Sequence, residues 1–256
     1  MISRYEVTLN GNPMSEIDEQ LLILDVEYAK PAYDLRTAVN GSLDGARITG
    51  RYKESAEVTV SFELHLYGIA DRQAACQKVI SWARDGGILE INDRPDQRLH
   101  VVCSEFPAIS SVRNWTDPLQ ITFTAYPLPW WEDTEETSVT LNGKKVNGYM
   151  ELPGSGGDAR VSVSIMVNGY LTTLNLRAGD TVLKLAGLAI ASGGTLEIGY
   201  TDEQLIYIRS GSTSLLGKRT NDSADDLLLP SGKKSTIGID ANTNIRATFK
   251  ARGCWM

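Results

Sequence analysis

Residues 56–95 read AEVTVSFELHLYGIADRQAACQKVISWARDGGILEINDRP and combine two structural periods in one stretch. Apolar and polar residues first alternate, which is the period of a strand with one buried face. The apolar series is Val58, Val60, Phe62, Leu64 and Leu66. The stretch therefore begins with a long strand, residues 58–66, that turns one side toward a core.

The pattern changes to helical spacing at Asp71. The apolar residues that fall on one helical face are Ala75, Val79, Ile80, Trp82 and Ala83. Gly86-Gly87 predicts the end of a helix near residues 71–85, because glycine adopts the left-handed conformation without steric cost. Ile88–Ile91 then predicts another strand, so we expect one amphipathic helix packed on one sheet.

Shorter strands and turns surround this stretch in the first half of the chain. Strand patterns cover Tyr5–Leu9, Leu21–Tyr28, Arg98–Ser104 and Leu119–Ala125, with Pro13 and Pro31 as early interruptions. Ser42–Gly50 is expected to be a glycine-containing turn or loop. Asn92–Pro95 is expected to be a hairpin turn.

Residues 126–138, YPLPWWEDTEETS, shift in composition to proline, tryptophan and acid, which is typical of a domain boundary. We expect a first domain of residues 1–129, a linker of residues 130–137 without strand or helix, and a second domain of residues 138–256. Trp130-Trp131 either packs into a gap beside the linker, as large aromatics commonly do, or marks an interface.

Short strands separated by glycine turns fill the second domain, which predicts a β-sandwich. The expected strands are Val161–Val167, Leu171–Leu176, Thr181–Leu185, Thr195–Tyr200, Leu205–Ile208, Leu227–Leu229, Thr236–Ile239 and Asn244–Lys250. The expected turns are Asn142-Gly143, Asn168-Gly169, Ala178–Asp180, Gly193-Gly194 and Ser231-Gly232. Residues 153–160, PGSGGDAR, read as a flexible stretch and do not match a phosphate-binding loop. The fold class is therefore mainly β, with one packed α-helix in a sandwich-like first domain.

The formal net charge of −7 disfavours nucleic-acid binding and anionic membrane surfaces, because both partners require cationic protein surface. No apolar run approaches the length of a membrane span, and residues 1–13 lack a signal-peptide pattern. The three cysteines, Cys76, Cys103 and Cys254, are odd in number and widely spaced. They predict free thiols in a reducing compartment rather than a disulfide framework.

Residue types that carry catalytic or metal-binding chemistry are sparse. His65 and His100 each fall on a predicted strand, and His65 is expected to be a solvated side chain on the polar face. Two separate histidines and three scattered cysteines do not provide the closely spaced ligands of a zinc site. Neither a Gly-x-Ser-x-Gly elbow nor a Cys–His pair is present.

Carboxylates are harder to exclude, because a glycosidase needs only two of them. The acidic run Glu132, Asp133, Glu135 and Glu136 is expected to be a solvated linker, while Asp202-Glu203 and Asp225-Asp226 suit turns. We therefore expect no catalytic, cofactor-binding or metal-binding residue and leave the ligand-binding residues unassigned. A structural or binding role is favoured.

The order of elements carries a resemblance to a known family. In the first half it rests on the lead Arg47–Arg51, the helix Asp71–Arg84 with its glycine stop, the turn within Ile88–Pro95 and the aromatic and proline segment Leu119–Pro129. In the second half it rests on Gly193–Ile198, Leu227–Gly232 and a closing strand Asn244–Arg252. In these features the chain resembles, over nearly its whole length, the distal tail proteins of siphophages and prophages. It departs from them at Gly199-Tyr200 and Lys233-Lys234, where the family often has aspartate and asparagine.

The resemblance implies a non-enzymatic virion protein of the baseplate hub or tail tip, assembled in the bacterial host cytoplasm. The first domain would form a closed ring, typically a homohexamer, between the tail tube and the tail-tip hub protein. Tape-measure and receptor-binding proteins are further implied partners, and DNA would only pass through the lumen. The second domain is implied to be a galectin-like or carbohydrate-module-like sandwich that projects outward. No cofactor or membrane is implied.

A closed ring needs two different contact patches on each subunit. We expect the loops Ala32–Gly50 and Ile109–Pro118 to supply them, because the strand at residues 58–66 reads as core. One alternative is a carbohydrate-binding module protein that recognises host surface glycans, and another is a glycan hydrolase. The aromatic residues available to sugar in the second half are few, namely Tyr149, Tyr170, Tyr200, Tyr207 and Trp255.

Overall fold

The computed structural model describes residues 4–29, 33–39, 46–108 and 118–255, without the side chains of residues 33, 39, 46, 47 and 51–53. The chain divides into two compact units, residues 1–131 (unit 1) and 132–256 (unit 2). The fold is mainly β with one α-helix among the described residues, which confirms the predicted fold class. Within those ranges, no helix has the length and apolar character needed to cross a membrane.

The strands and the helix of unit 1 follow the predicted order closely. In chain order they are β1 (Val7–Leu9), β2 (Asn12–Pro13), β3 (Leu21–Tyr28), β4 (Tyr33–Val39), β5 (Ala46–Lys53), β6 (Glu57–Leu64), α1 (Ile69–Ala83), β7 (Gly87–Ile91), β8 (Gln97–Glu105), β9 (Leu119–Ala125) and β10 (Trp131–Asp133). A 3-10 turn spans Met14–Glu16. The boundary between the two units falls within β10.

Seven strands of unit 1 form a sheet in the order β2-β1-β7-β8-β9-β6-β3. Strand β6 pairs with β3 on one side and β9 on the other, so it lies inside the sheet. Val58, Val60, Phe62 and Leu64 are fully buried, as the alternation predicts. Leu66 lies beyond the strand and is only partly buried, because its N–H turns back to the carbonyl oxygen of Leu64 at 2.8 Å.

Helix α1 covers the buried face of this sheet. The Trp82 ring meets the ring of Phe123 on β9 edge-on, with 6.0 Å between centroids. The fully buried apolar residues of α1 are Ala75, Cys76, Val79 and Ala83, whereas Ile80 is only partly buried. The strand–helix–strand prediction is therefore confirmed. The helix covers the apolar face of the sheet, which would otherwise be exposed to water.

Asn10 fastens the end of the helix to the start of β7. Its side-chain amide donates to the carbonyl oxygen of Gly86 at 2.9 Å and accepts from the N–H of Ile88 at 2.9 Å. Gly86 has φ of 64° and Gly87 has φ of 136°, in the region that favours glycine. The predicted glycine stop is thus confirmed, and it is held by a side chain distant in sequence.

Two segments expected to lack regular structure contain strands. Residues 46–50, which lie in the loop predicted at Ser42–Gly50, belong to β5 and pair with β4 in an antiparallel hairpin. The linker predicted at residues 130–137 contains β10 and the start of the following strand. In both segments backbone pairing satisfies polar groups that a loop would leave to water. The predicted loop at Ile109–Pro118 lies outside the described residues except for Pro118.

Unit 2 is built from strands and one 3-10 turn, Leu216–Lys218. Its strands are β11 (Thr137–Glu151), β12 (Asp158–Arg160), β13 (Ser162–Val167), β14 (Leu171–Ala178), β15 (Thr181–Ile190), β16 (Thr195–Tyr200), β17 (Ile206–Ser210), β18 (Thr213–Ser214), β19 (Leu228–Pro230), β20 (Lys234–Ala251) and β21 (Cys254–Trp255). Their alternating buried residues, such as Val163, Ile165 and Val167, form one apolar core.

Strand β20 joins the two halves of this sandwich. Its first half, Ile237–Ala241, pairs with β14, and its second half, Ile245–Lys250, pairs with β13. Strand β11 follows β20 along both halves, with an irregularity between Gly143 and Lys145. By changing partners along its length, one strand can belong to both layers of a β-sandwich.

Three predictions for unit 2 are wrong in detail. The strands expected at Thr236–Ile239 and Asn244–Lys250 are one continuous strand that changes partner between Ala241 and Ile245. There the Asn242 side chain bonds to the backbone of Thr172, Thr173 and Tyr170. Asn142-Gly143 is an irregularity within β11 instead of a turn. The stretch at residues 153–160 ends in β12, which pairs with β19.

We expect Gly86→Ala to destabilise the protein more than Gly11→Ala. Both glycines have positive φ, 64° and 75°, so alanine costs about 1–2 kcal/mol at either site. A Cβ at residue 86 would lie 2.4 Å from the carbonyl oxygen of Val101, whereas nothing lies within 4 Å at residue 11. The clash adds about 1–3 kcal/mol. Urea unfolding of both variants measures the difference, and equal losses would contradict it.

Candidate interaction surfaces

The predicted chemistry-bearing residues are dispersed in the structure. His65 is not simply solvated as expected, since its Nε2 lies 2.9 Å from Glu63 Oε2 and its ring is about three-quarters buried. His100 lies on β8, in the interior of the sheet order. Among the described residues, no group of three or more His, Cys, Asp or Glu side chains could hold a metal ion.

The three cysteines are free thiols, as the odd count predicts. Burial raises the pKa of the Cys76 thiol, and it raises that of Cys103 to about 11. The Cys76 Sγ donates to the carbonyl oxygen of Pro107 at 3.6 Å. Because the thiolate is the reactive form, these two thiols are poor nucleophiles at neutral pH.

The acidic run at the start of unit 2 holds the end of unit 2 instead of forming a solvated linker. Asp133 accepts hydrogen bonds from the N–H of Gly253 at 3.1 Å and from the indole N–H of Trp255 at 2.6 Å. The N–H of Asp133 donates to the carbonyl oxygen of Gly253 at 3.0 Å. Glu136 lies 3.7 Å from the side-chain nitrogens of both Lys250 and Arg252. This carboxylate cluster is therefore structural.

We expect Asp133→Ala to lower the free energy of unfolding by about 2–3 kcal/mol, because it removes two hydrogen bonds to a carboxylate. Glu135→Ala is the matched control, since that side chain is exposed and should change stability by less than about 0.5 kcal/mol. Denaturant unfolding measures both variants. Equal stability of the two would show that the bonds to Gly253 and Trp255 contribute nothing.

Tyr200 is a structural residue and not an exposed aromatic platform. Its hydroxyl accepts from the N–H of Leu227 at 3.0 Å and donates to the carbonyl oxygen of the same residue at 3.3 Å. The Arg160 guanidinium lies 5.3 Å from the ring centroid. Burial raises the pKa of Tyr200 to about 12, since the phenolate would lose its hydration.

This raised pKa predicts a loss of stability in alkali. The neutral phenol is favoured in the folded state, so its contribution is complete below pH about 10 and is lost as pH rises through about 12. Tyr200→Phe should lower the free energy of unfolding by about 1 kcal/mol at pH 7. Between pH 10 and 12 its free energy of unfolding should fall less steeply than that of the wild type. Tyr170→Phe, at an exposed site, is the matched control and should keep the wild-type melting temperature at pH 7. Thermal unfolding against pH measures the effect of Tyr200→Phe.

Trp131 packs inside unit 1, which agrees with the packing alternative for this residue. It is 3% exposed, and its ring lies 5.9 Å from that of Tyr28. The Arg94 guanidinium lies 4.9 Å from the Trp131 centroid, and the Tyr28 hydroxyl donates to Asp93 Oδ1 at 2.5 Å. The hairpin turn between β7 and β8, which contains Arg94, therefore packs against Trp131 at the end of the connection from β9 to β10.

The β4–β5 hairpin presents apolar side chains to solvent. Leu35 is 48% exposed and Ile48 is 57% exposed. Ile48 is paired with Thr37, which lies two residues after Leu35 on β4, so the two apolar side chains share one face. The hairpin forms its own two-stranded sheet, and a lone hairpin is marginally stable in water. Its exposed apolar face is thus a candidate contact surface.

The negative charge belongs almost wholly to unit 1. Residues 1–131 contain 12 Lys and Arg and 18 Asp and Glu, whereas residues 132–256 contain 13 and 14. Unit 1 therefore carries a formal charge of about −6 and unit 2 of about −1. The two units present different electrostatic surfaces to any partner.

Solved structures of phage proteins share this fold. The Dit protein (gp 19.1) of phage SPP1, described as a paradigm of the hub adsorption apparatus in phages that infect Gram-positive bacteria, is 12% identical with a TM-score of 0.72. That alignment covers 97% of this chain and 98% of the SPP1 protein. A chain of the phage P2 baseplate, in its activated conformation with Ca, is 9% identical with a TM-score of 0.51, covering 99% and 98%.

No protein-family model matches the chain. No curated protein matches it either. The likeness to the two phage proteins extends over both units, so the whole order of elements is shared and not one common domain.

Proposed function

We propose that this chain is a distal tail protein, a structural component of the baseplate hub of a phage or prophage particle. The observation that carries the proposal is the fold shared with the SPP1 hub protein over 97% of this chain. Unrelated functions can occur on one fold, but an order of two units that is shared over 97% of the chain reduces the number of plausible functions. The proposed role is structural and non-enzymatic.

We place ring assembly in unit 1. A closed ring, with six copies as the proposed number, requires a patch on each subunit that meets a different patch on the next. The hairpin face with Leu35 and Ile48 supplies one such patch, since each side chain would gain about 1–2 kcal/mol on burial. This hairpin face lies within residues 32–50, the segment that the sequence predicts to be an interface.

The acidity of unit 1 supports a passage for DNA. If unit 1 forms the ring, its net charge of about −6 per copy disfavours adhesion of phosphate to the protein. The tail tube and a tail-tip hub protein are the proposed neighbours on the two sides of the ring. Tape-measure and receptor-binding proteins are further proposed partners, and assembly takes place in the host cytoplasm.

We expect the purified chain to form closed rings, and Leu35→Glu with Ile48→Glu to abolish them. Two carboxylates on the hairpin face would have to be buried without partners at every contact. Light scattering gives the mass, and negative-stain imaging gives the ring. The double variant should scatter as a monomer and keep the wild-type circular dichroism spectrum, because both side chains are exposed in the single chain.

Leu205→Glu is the matched control. Leu205 is 61% exposed but lies in unit 2, so this variant should form rings like the wild type. The proposal fails if the wild-type chain stays monomeric at high concentration, both alone and with the tail tube protein added. The hairpin assignment alone fails if the double variant still closes into rings.

A further inference from the structure

Strand β15 lies at one edge of the eight-stranded sheet of unit 2, next to β14. Its sequence, TVLKLAGLAI, contains a single charged residue, Lys184, and no proline. A sheet edge that is rich in apolar and β-branched residues and poor in charge pairs readily with another chain. Unit 2 therefore needs a feature that covers this edge.

Residues 218–226, here called the strap, run along the edge of β15. The Thr220 N–H donates to the carbonyl oxygen of Lys184 at 3.0 Å. In the other direction, the Lys184 N–H donates to Ser223 Oγ at 3.0 Å. The strap thus satisfies both backbone groups that Lys184 turns away from the sheet, and a second strand cannot use them while the strap is in place.

A further backbone bond lies two residues along the same edge. The Ala224 N–H donates to the carbonyl oxygen of Val182 at 2.9 Å. The Arg219 guanidinium closes the strap on itself, because it donates to the carbonyl oxygen of Ala224 at 2.8 Å and to Asp225 Oδ1 at 2.6 Å. Arg219 therefore holds Ala224 in the position from which its N–H reaches β15.

The one charged side chain of β15 also holds the strap. Lys184 Nζ donates to Asp222 Oδ2 at 2.5 Å. The other oxygen of this carboxylate accepts from the Thr220 hydroxyl at 2.6 Å. Asp222 thus links the side chain of the covered strand to the residue whose N–H bonds to the backbone of that strand.

The strap is attached by polar contacts and not by apolar packing. None of residues 218–226 is buried, whereas Leu227, directly after the strap, is fully buried. Asp222 and Asp225 are both exposed, and ion pairs with exposed members are weak. Segments with few buried apolar contacts open at a lower free energy than the core. The strap can therefore open while the sandwich of unit 2 stays folded.

We propose that the strap is an autoinhibitory contact that prevents β15 from pairing with β15 of a second copy of this chain. When the strap opens, the same edge becomes available on both copies, and two identical edges can pair antiparallel about a twofold axis. The closed strap restricts self-association to other surfaces of the chain. This role lies within unit 2 and does not depend on ring assembly, so it goes beyond the structural role proposed above.

The test loosens the strap in the full chain with the double substitution Arg219→Ala and Asp222→Ala. Amide hydrogen exchange at residues 181–190 should become about tenfold faster or more, because the strap opens more often. Exchange at residues 234–251, in β20, should stay at the wild-type rate. Light scattering at increasing concentration should then give at least twice the mass of the assembly that the wild type forms.

The double substitution Glu197→Ala with Arg209→Ala is the matched control. It also removes one exposed ion pair, with 2.7 Å between the charged groups, and leaves the net charge unchanged. The pair lies on β16 and β17 and not in the strap. This variant should keep the wild-type exchange at residues 181–190 and the wild-type mass.

A third substitution separates strand pairing from general unfolding. Ala186→Lys adds a second charge to β15 at an exposed position. In the strap variant it should restore the wild-type mass but leave the fast exchange, because like charges on two paired edges repel each other.

Four outcomes overturn the proposal. The first two are wild-type exchange at residues 181–190 in the strap variant and a wild-type mass in spite of faster exchange. The third is an unchanged high mass after Ala186→Lys is added. The fourth is an equal acceleration of exchange in β20, since the larger assembly would then follow from unfolding of the whole unit.

Discussion

The backbone register between β11, β20 and β14 is the constraint on which unit 2 depends. Because β20 pairs along both edges, each of its residues has a defined neighbour on either side. The register places Asp240 on the exposed face while Ile237 and Ile239 enter the core. Shifting one strand by a single residue would bury its polar side chains and expose its apolar ones.

Elements with an unbroken period could be predicted closely from the sequence. Leu21–Tyr28 and Leu119–Ala125 have the predicted bounds, and α1 begins and ends two residues before the predicted range of 71–85. The sequence does not predict the hairpin of β4 and β5, because Gly50 and the proline at residue 31 are typical of loops. The sequence predicts two strands in place of β20, because Asn242 and Asn244 are typical of a turn. In the structure the Asn242 side chain instead bonds to β14.

The candidate surfaces could be predicted only in part, because they combine residues that are distant in sequence. The segment at residues 32–50 was favoured as interface, but its exposed Leu35 and Ile48 become neighbours only through the hairpin register. The role of Asp133 was hidden for the same reason, since its partners lie at the far end of unit 2.

The bonds from Asp133 to Gly253 and Trp255 bring the first and last strands of unit 2 side by side. A unit whose chain ends meet is self-contained, since it needs only two adjacent peptide connections to its surroundings. Such a module can be transplanted into a surface loop of another protein, or exchanged for a different module, without stretching the host chain. The Asp133 bonds thus give unit 2 the adjacent ends that insertion or exchange of a module requires.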